Sequence, residues 1–334
     1  MKPMVTNVLV VGAGAMGRNH CRAYSHDSRV GHVFVLEPND QSRSALQAMG
    51  LEKVTFVDSL DDALKQDVAA ASLVTPTETH YDMATPLLDA GLNVLVEKPI
   101  TATVTEGKRL AALAEKKGVL VMPGHIERFN PAVRALKKHM PDLGRIVYAS
   151  AHRFGIPTQR RLADAFLDQA VHDMDVVSFL TGCKPLDIRA VSQRILDAHA
   201  DDLCSSIVRY DGFYASIEAN RVTPIKTRQL IVLGTKGSAH LDYISQDLVV
   251  THSETTQNKY STFDEILMRV GRGTEVKPYF QKDEPLRLEL HHFLSCVLGE
   301  EKPLVTAEDG IMAVAAVAAG MKSAKSGTVE KISA

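Results

Sequence analysis

The chain has 334 residues with 38 basic and 40 acidic side chains and a formal charge of −2, a length that favours two domains of ordinary size over a single core. With 45% hydrophobic and 23% charged residues and no apolar run long enough to cross a bilayer, disordered, collagenous and membrane-spanning readings fall away. The near-neutral balance supplies no basic field for nucleic acid, and Cys21, Cys183, Cys204 and Cys296 are spaced neither for zinc nor for a disulfide framework.

Residues 1–124 alternate short β-rich runs with amphipathic stretches, the pattern of a parallel sheet with crossover helices. Strands are expected at Asn7 to Gly12, Gly31 to Glu37, Val54 to Val57, Ala70 to Val74, Asn93 to Glu97 and Val119 to Met122, with helices beginning near Ala15, Asp40, Ser59, Thr79 and Thr103. Directly after the first strand comes Gly12-Ala13-Gly14-Ala15-Met16-Gly17. Glycines at that spacing let the chain turn tightly, bring backbone N–H groups to a pyrophosphate and pack the helix close to the strand. Glu37 stands twenty residues beyond Gly17 at the end of the second strand, where a carboxylate accepts from both adenine-ribose hydroxyls and repels a 2'-phosphate. The expected cofactor is therefore NAD, with NADP the less favoured alternative because Arg43 is near enough in sequence to meet a phosphate.

Two further strand ends point into the same crevice. Val74-Thr75-Pro76-Thr77 with His80 is expected to line the nicotinamide half, and Glu97-Lys98-Pro99 places a Lys after four apolar residues, where it can contact a reacting hydroxyl. Residues 125–334 change rhythm: a helix at Pro131 to His139, strand-like Arg145 to Arg153, a helix at Phe166 to Leu180, alternating segments at Ser205 to Tyr210, Tyr214 to Asn220, Gln229 to Leu233 and Ser238 to Tyr243, and closing helices at Leu286 to Leu298 and Ala307 to Ser323. This predicts an α+β substrate-binding and oligomerisation domain on a large, mostly antiparallel, open-faced sheet. Ser253 to Gly273 is polar and turn-rich and reads as a mobile loop. In Asp168-Gln-Ala-Val-His172 the i, i+4 spacing puts both side chains on one helix face, where imidazole can take a proton from an alcohol as hydride leaves carbon. No metal-ligand spacing accompanies them.

GAGAMG, TPTETH, EKP and DQAVHDMD together resemble the Gfo/Idh/MocA oxidoreductases over nearly the whole chain. That resemblance implies an NAD(P)-dependent dehydrogenase acting on CH–OH groups, with Lys98, Asp168 and His172 catalytic. It also implies cofactor contacts from Gly12, Gly14, Ala15, Met16, Gly17, Glu37, Thr75, Pro76, Thr77, His80, Glu97 and Lys98. Ala170 stands where a glycine is frequent. The segments Pro123 to Val133, Arg153-Phe-Gly155 and Asn220 to Arg228 are similar to the UDP-N-acetylglucosamine 3-dehydrogenase branch, although Arg221 replaces an aromatic residue there.

On this resemblance Arg128, Asn130, Arg153, Arg160, Lys226 and Arg228 are the expected partners of a sugar nucleotide, and a UDP-N-acetylhexosamine oxidised at C3 is the expected substrate. A free sugar or inositol is the alternative, and a non-catalytic cofactor-bound sensor a remoter one. The 3-keto product implies a pathway link to a pyridoxal-phosphate aminotransferase. A cytoplasmic homodimer or homotetramer, binding neither nucleic acid nor membrane, completes the expectation.

Overall fold

The computed structural model describes residues 6–157, 164–196, 200–252 and 273–334. It divides into two compact units, Met1–Phe129 with Asp283–Ala315 and Ala334, and Asn130–Lys282 with Ala316–Ser333. The division differs from the expected 1–124 and 125–334 in that residues 283–315 return to the first unit. Of the polar segment at 253–273 only Gly273 lies within the described residues.

The first unit is a six-stranded parallel sheet in the order β3-β2-β1-β4-β5-β6. Its strands are β1 (Thr6–Val11), β2 (Val30–Leu36), β3 (Val54–Val57), β4 (Val68–Leu73), β5 (Asn93–Glu97) and β6 (Val121–Gly124). The helices between them are α1 (Ala15–His26), α2 (Asp40–Gln47), α3 (Leu60–Leu64), α4 (His80–Asp89) and α5 (Val104–Lys117). A strand turns successive side chains to opposite faces. In β1, Val8 and Val10 join one apolar cluster with Tyr24 of α1, while Leu9 and Val11 join another with Leu87 and Leu88 of α4 and Leu110 of α5. Both faces are therefore buried, which is why these strands read as continuous apolar runs. The first cluster is completed by Leu286, Leu290, Phe293 and Leu294, which explains why the segment after residue 283 belongs to this unit.

The second unit holds a nine-stranded sheet, mixed and mostly antiparallel, in the order β14-β13-β12-β11-β7-β10-β9-β8-β15. The strands are β7 (Ile146–Phe154), β8 (Asp187–Gln193), β9 (Leu203–Tyr210), β10 (Phe213–Asn220), β11 (Thr227–Gly234), β12 (Gly237–Asp242), β13 (Asp247–His252), β14 (Thr274–Val276) and β15 (Glu330–Lys331). β7 and β10 pair in parallel at its centre. Helices α6 (Pro131–His139) and α7 (Val171–Thr181) belong to this unit, α8 (Pro285–Val297) belongs to the first, and the unit division falls inside α9 (Ala307–Ser326). In β10, Phe213, Ala215, Ile217 and Ala219 are buried, whereas Tyr214 on the alternate face is exposed, as is Ile207 of β9. Among the described residues no helix is long and apolar enough to cross a membrane.

Candidate active site

β1 delivers the chain into a loop whose glycines do three different things. Gly12 has φ 98°, in the left-handed region, and a Cβ there would lie 2.7 Å from the Val74 carbonyl oxygen. A Cβ at Gly17 would stand 2.0 Å from the Gly12 carbonyl oxygen. These two positions let the loop close on itself and against the end of β4. At Gly14 a Cβ would meet nothing within 4 Å, because this residue faces a pocket of about 450 Å³ lined also by Glu37, Val74, Thr75 and Pro76. Gly14 is the N-cap of α1 and brings no side chain to its first turn, which starts with Ala15 and Met16 and holds no acidic residue. Open N–H groups at the positive end of a helix, beside space that only a glycine leaves, fit the pyrophosphate of a dinucleotide.

Glu37 lines the same pocket and is 8% exposed. Its Oε2 accepts from the Ala13 N–H at 2.6 Å and its Oε1 from the Asn39 N–H at 2.8 Å, so the backbone aims the carboxylate and leaves lone pairs for a ribose diol. Arg43 is engaged beside it: its guanidinium lies 4.6 Å from the Phe56 ring centroid and 3.4 Å from the Asp58 carboxylate.

His80 is the residue that the sequence expects against the cofactor. It is 1% exposed, with Nδ1 2.9 Å from the Pro99 carbonyl oxygen and Nε2 2.9 Å from that of Thr75, so it braces the turn after β4 against the turn after β5. Thr77 opens a short 3₁₀ turn, Thr77–Thr79. Glu97 is buried at the end of β5, and its Oε2 accepts from the Lys98 N–H at 3.1 Å. Its Oε1 lies 3.1 Å from His20 Nε2 on α1. Burial alone pushes the Glu97 carboxyl up, but the donor from His20 and the charge of Lys98 outweigh it and hold the group below its ordinary value. Lys98 itself is half-buried, and the Lys98–Pro99 peptide is cis.

In the second unit Asp168 and His172 are both half-buried. The helix carrying them is not the regular α-helix that the spacing predicts: Phe166–Ala170 forms a π turn in which the Val171 N–H donates to the Phe166 carbonyl, and only then does α7 begin. Such single widened turns recur at functional sites. The Gln169 amide faces two acceptors, the carbonyls of Arg153 and Asn220, and with its N–H group assigned to that side it donates to them at 2.8 and 2.9 Å, fastening the π turn to the ends of β7 and β10.

The six expected nucleotide partners divide. Arg153 is 2% exposed and its Nε and Nη2 donate to the Asp173 carboxylate at 2.8 and 3.0 Å, with Tyr243 5.0 Å from the guanidinium. Arg128 is 4% exposed and bonds Asp309 at 3.0 Å and the Leu304 carbonyl at 3.2 Å; burial raises the Asp309 carboxyl, and Arg128 more than offsets it. Asn130 is buried, caps α6 through the Ala132 N–H and donates to the Tyr243 carbonyl. These three are engaged inside the protein, because a buried guanidinium or amide requires a polar partner, whose approach no local pattern announces. Lys226 is exposed and Arg228 half-buried. Arg160 lies outside the described residues. Sequence reasoning missed His20 and Gln169; the available signal for His20 was a polar ring on the otherwise apolar stripe of α1. Among the described residues no group of three or more His, Cys, Asp or Glu is placed to hold a metal ion.

Comparison with known proteins adds family context. Residues 6–125 match the oxidoreductase family model described as an NAD-binding Rossmann fold, and residues 141–332 match that family's C-terminal alpha/beta domain. The chain is 31% identical over 244 residues to UDP-N-acetylglucosamine 3-dehydrogenase from Acidithiobacillus ferrooxidans, covering 73% of this chain and 76% of the relative. The solved structure of that protein superposes with a TM-score of 0.83 at 25% identity, covering 96% of this chain and 97% of the other. Similarity also extends to scyllo-inositol 2-dehydrogenase (NAD(+)) from Bacillus subtilis, 26% identical over 315 residues, covering 89% and 87% of the two chains.

Proposed function

The chain belongs to the Gfo/Idh/MocA oxidoreductase family, as an NAD-binding enzyme acting on CH–OH groups, and from that premise we propose that its substrate is a UDP-N-acetylhexosamine oxidised at ring C3. The observation that carries the substrate reading is the 31% identity over 244 residues with a UDP-N-acetylglucosamine 3-dehydrogenase. Lys98 hydrogen-bonds the C3 hydroxyl oxygen and stabilises the negative charge that grows there. His172 takes the hydroxyl proton, and Asp168 orients His172 or a neighbouring sugar hydroxyl. Bound NAD supplies the acceptor for the hydride that leaves C3, so the C–H bond breaks as the C=O bond forms and the proton stays on His172. Gly12, Gly14, Ala15, Met16, Gly17, Glu37, Thr75, Pro76 and Glu97 serve the cofactor, and Lys226 and Arg228, with Arg160, serve the diphosphate.

One observation favours a second reading, a dehydrogenase of inositol or another uncharged polyol: Arg128, Asn130 and Arg153 are held by the protein's own groups, which thins the set left for a nucleotide. The two readings separate when the protein is incubated with NAD and either UDP-N-acetylglucosamine or myo-inositol, with NADH absorbance and product mass followed. NADH formation with loss of two hydrogens from the nucleotide sugar supports the first; turnover of inositol alone replaces it with the second.

The quaternary reading is a homodimer or homotetramer formed through the exposed face of the nine-stranded sheet, supported by Val191, Ile207 and Tyr214, which are 62%, 46% and 49% exposed there. Free thiols at Cys21, Cys183, Cys204 and Cys296 support a reducing, cytoplasmic setting. A 3-keto product would suit a pyridoxal-phosphate aminotransferase as the next enzyme.

A further inference from the structure

α1 begins at the glycine loop and, one and a half turns on, carries His20 with no exposed surface. Its Nε2 lies 3.1 Å from Glu97 Oε1, while Nδ1 has no hydrogen-bond partner among the described residues. With a carboxylate as acceptor, Nε2 is the nitrogen that carries the proton and donates. The carboxylate is fixed from two further sides. The Lys98 N–H donates to Oε2, and Gly124, opposite Glu97 in β6, leaves so little room that a Cβ there would sit 3.4 Å from Oε2. β4 and β5 run parallel with Leu73 opposite Val96. Glu97 is thus level with Val74, which lines the pocket. A buried carboxylate held in one orientation stands one strand from the cofactor crevice.

We propose that His20 is a positioning residue that holds Glu97 as a fixed negative charge at the carboxyl end of β5, and that this charge makes the site bind the oxidised, positively charged nicotinamide in preference to the reduced, neutral one. The inference rests on the NAD site and is independent of which alcohol is oxidised. An oriented charge in a partly desolvated crevice acts on a cation more strongly than the same charge in water. Lys98 bears the opposite charge, but its side chain is only half-buried, so solvent screens it more than the buried carboxylate. Reduction of the ring removes its positive charge, so the pair favours uptake of NAD+ and release of NADH, and by the same linkage it makes the bound ring harder to reduce.

The test is a pair of binding titrations on the full chain, one with NAD+ and one with NADH, giving the ratio of dissociation constants, NADH over NAD+. Glu97→Gln is expected to lower that ratio about tenfold through weaker NAD+ binding. His20→Leu removes the buried donor and is expected to lower it in the same direction, while His20→Gln, whose amide can donate from near the Nε2 position, keeps it near the parent value. Loss of affinity for both forms by the same factor in Glu97→Gln and His20→Leu would reduce the pair to a structural role and overturn the proposal, as would an unchanged or raised ratio. Failure of the parent protein to bind either form would instead strike at the NAD site itself.

Discussion

Glu37 is held by the backbone and carries the proposed selection of NAD. Its two oxygens accept from the Ala13 and Asn39 N–H groups, so Glu37→Ala removes the ribose acceptor and leaves two backbone donors to find water. Hydrogen bonds to a charged group are worth about 1.5 to 3 kcal/mol, and NAD affinity is expected to fall roughly tenfold to a hundredfold, with NADP gaining relative to NAD; a titration with each cofactor checks both. Lys98 and His172 carry a different expectation, since neither is assigned to the adenine half. Lys98→Ala and His172→Ala should keep NAD affinity within a few-fold of the parent while turnover falls by about 10² to 10⁴. If either variant turned over like the parent, its role would be wrong. The strand-end positions of Glu37 and Lys98 were legible because each follows an apolar strand. The pairings of Arg128 and Arg153 were not, because their partners Asp309 and Asp173 meet them only through tertiary packing.

Among the elements, the segment from Phe166 to Thr181 matters most. Its existence was readable from Asp168 and His172, but its π turn was not: that hydrogen-bond pattern goes with a tie from Gln169 to two strand-end carbonyls, and nothing in residues 166–171 encodes those carbonyls. The Arg153–Asp173 pair makes a second tie between β7 and α7, with both side chains at most 2% exposed. Arg153→Leu leaves a buried carboxylate without its guanidinium and is expected to destabilise the fold by about 3 to 5 kcal/mol. The double variant Arg153→Leu/Asp173→Leu, with no stranded charge, should recover most of that loss. Urea unfolding of the single and double variants gives the comparison, and equal destabilisation by both would show that the ion pair is not what joins the elements. By contrast α6 was legible to the residue, because Asn130 and Pro131 mark its start by chemistry that is entirely local.

At the scale of the molecule, the alternation of strand and helix in the first 124 residues was enough to anticipate a parallel sheet in a Rossmann arrangement, since each crossover is short and each strand apolar on both faces. The return of residues 283–315 to that unit was not, because the apolar stripe of α8 fits any sheet face equally well on sequence grounds. The exposed face of the nine-stranded sheet gives a quaternary prediction: light scattering should find an oligomer at micromolar concentration, and Ile207→Glu with Tyr214→Glu should shift it toward monomer. A stable parent monomer would remove that reading without touching the chemistry. The chemistry itself meets its most direct test in a single transfer experiment, with UDP-N-acetylglucosamine carrying deuterium at C3, NAD+ and the full chain. The deuterium is expected to appear on C4 of the reduced nicotinamide, with a keto sugar nucleotide as the other product; reduced cofactor without the label, or no NADH from this substrate where myo-inositol in a parallel reaction gives NADH, would contradict the proposed chemistry.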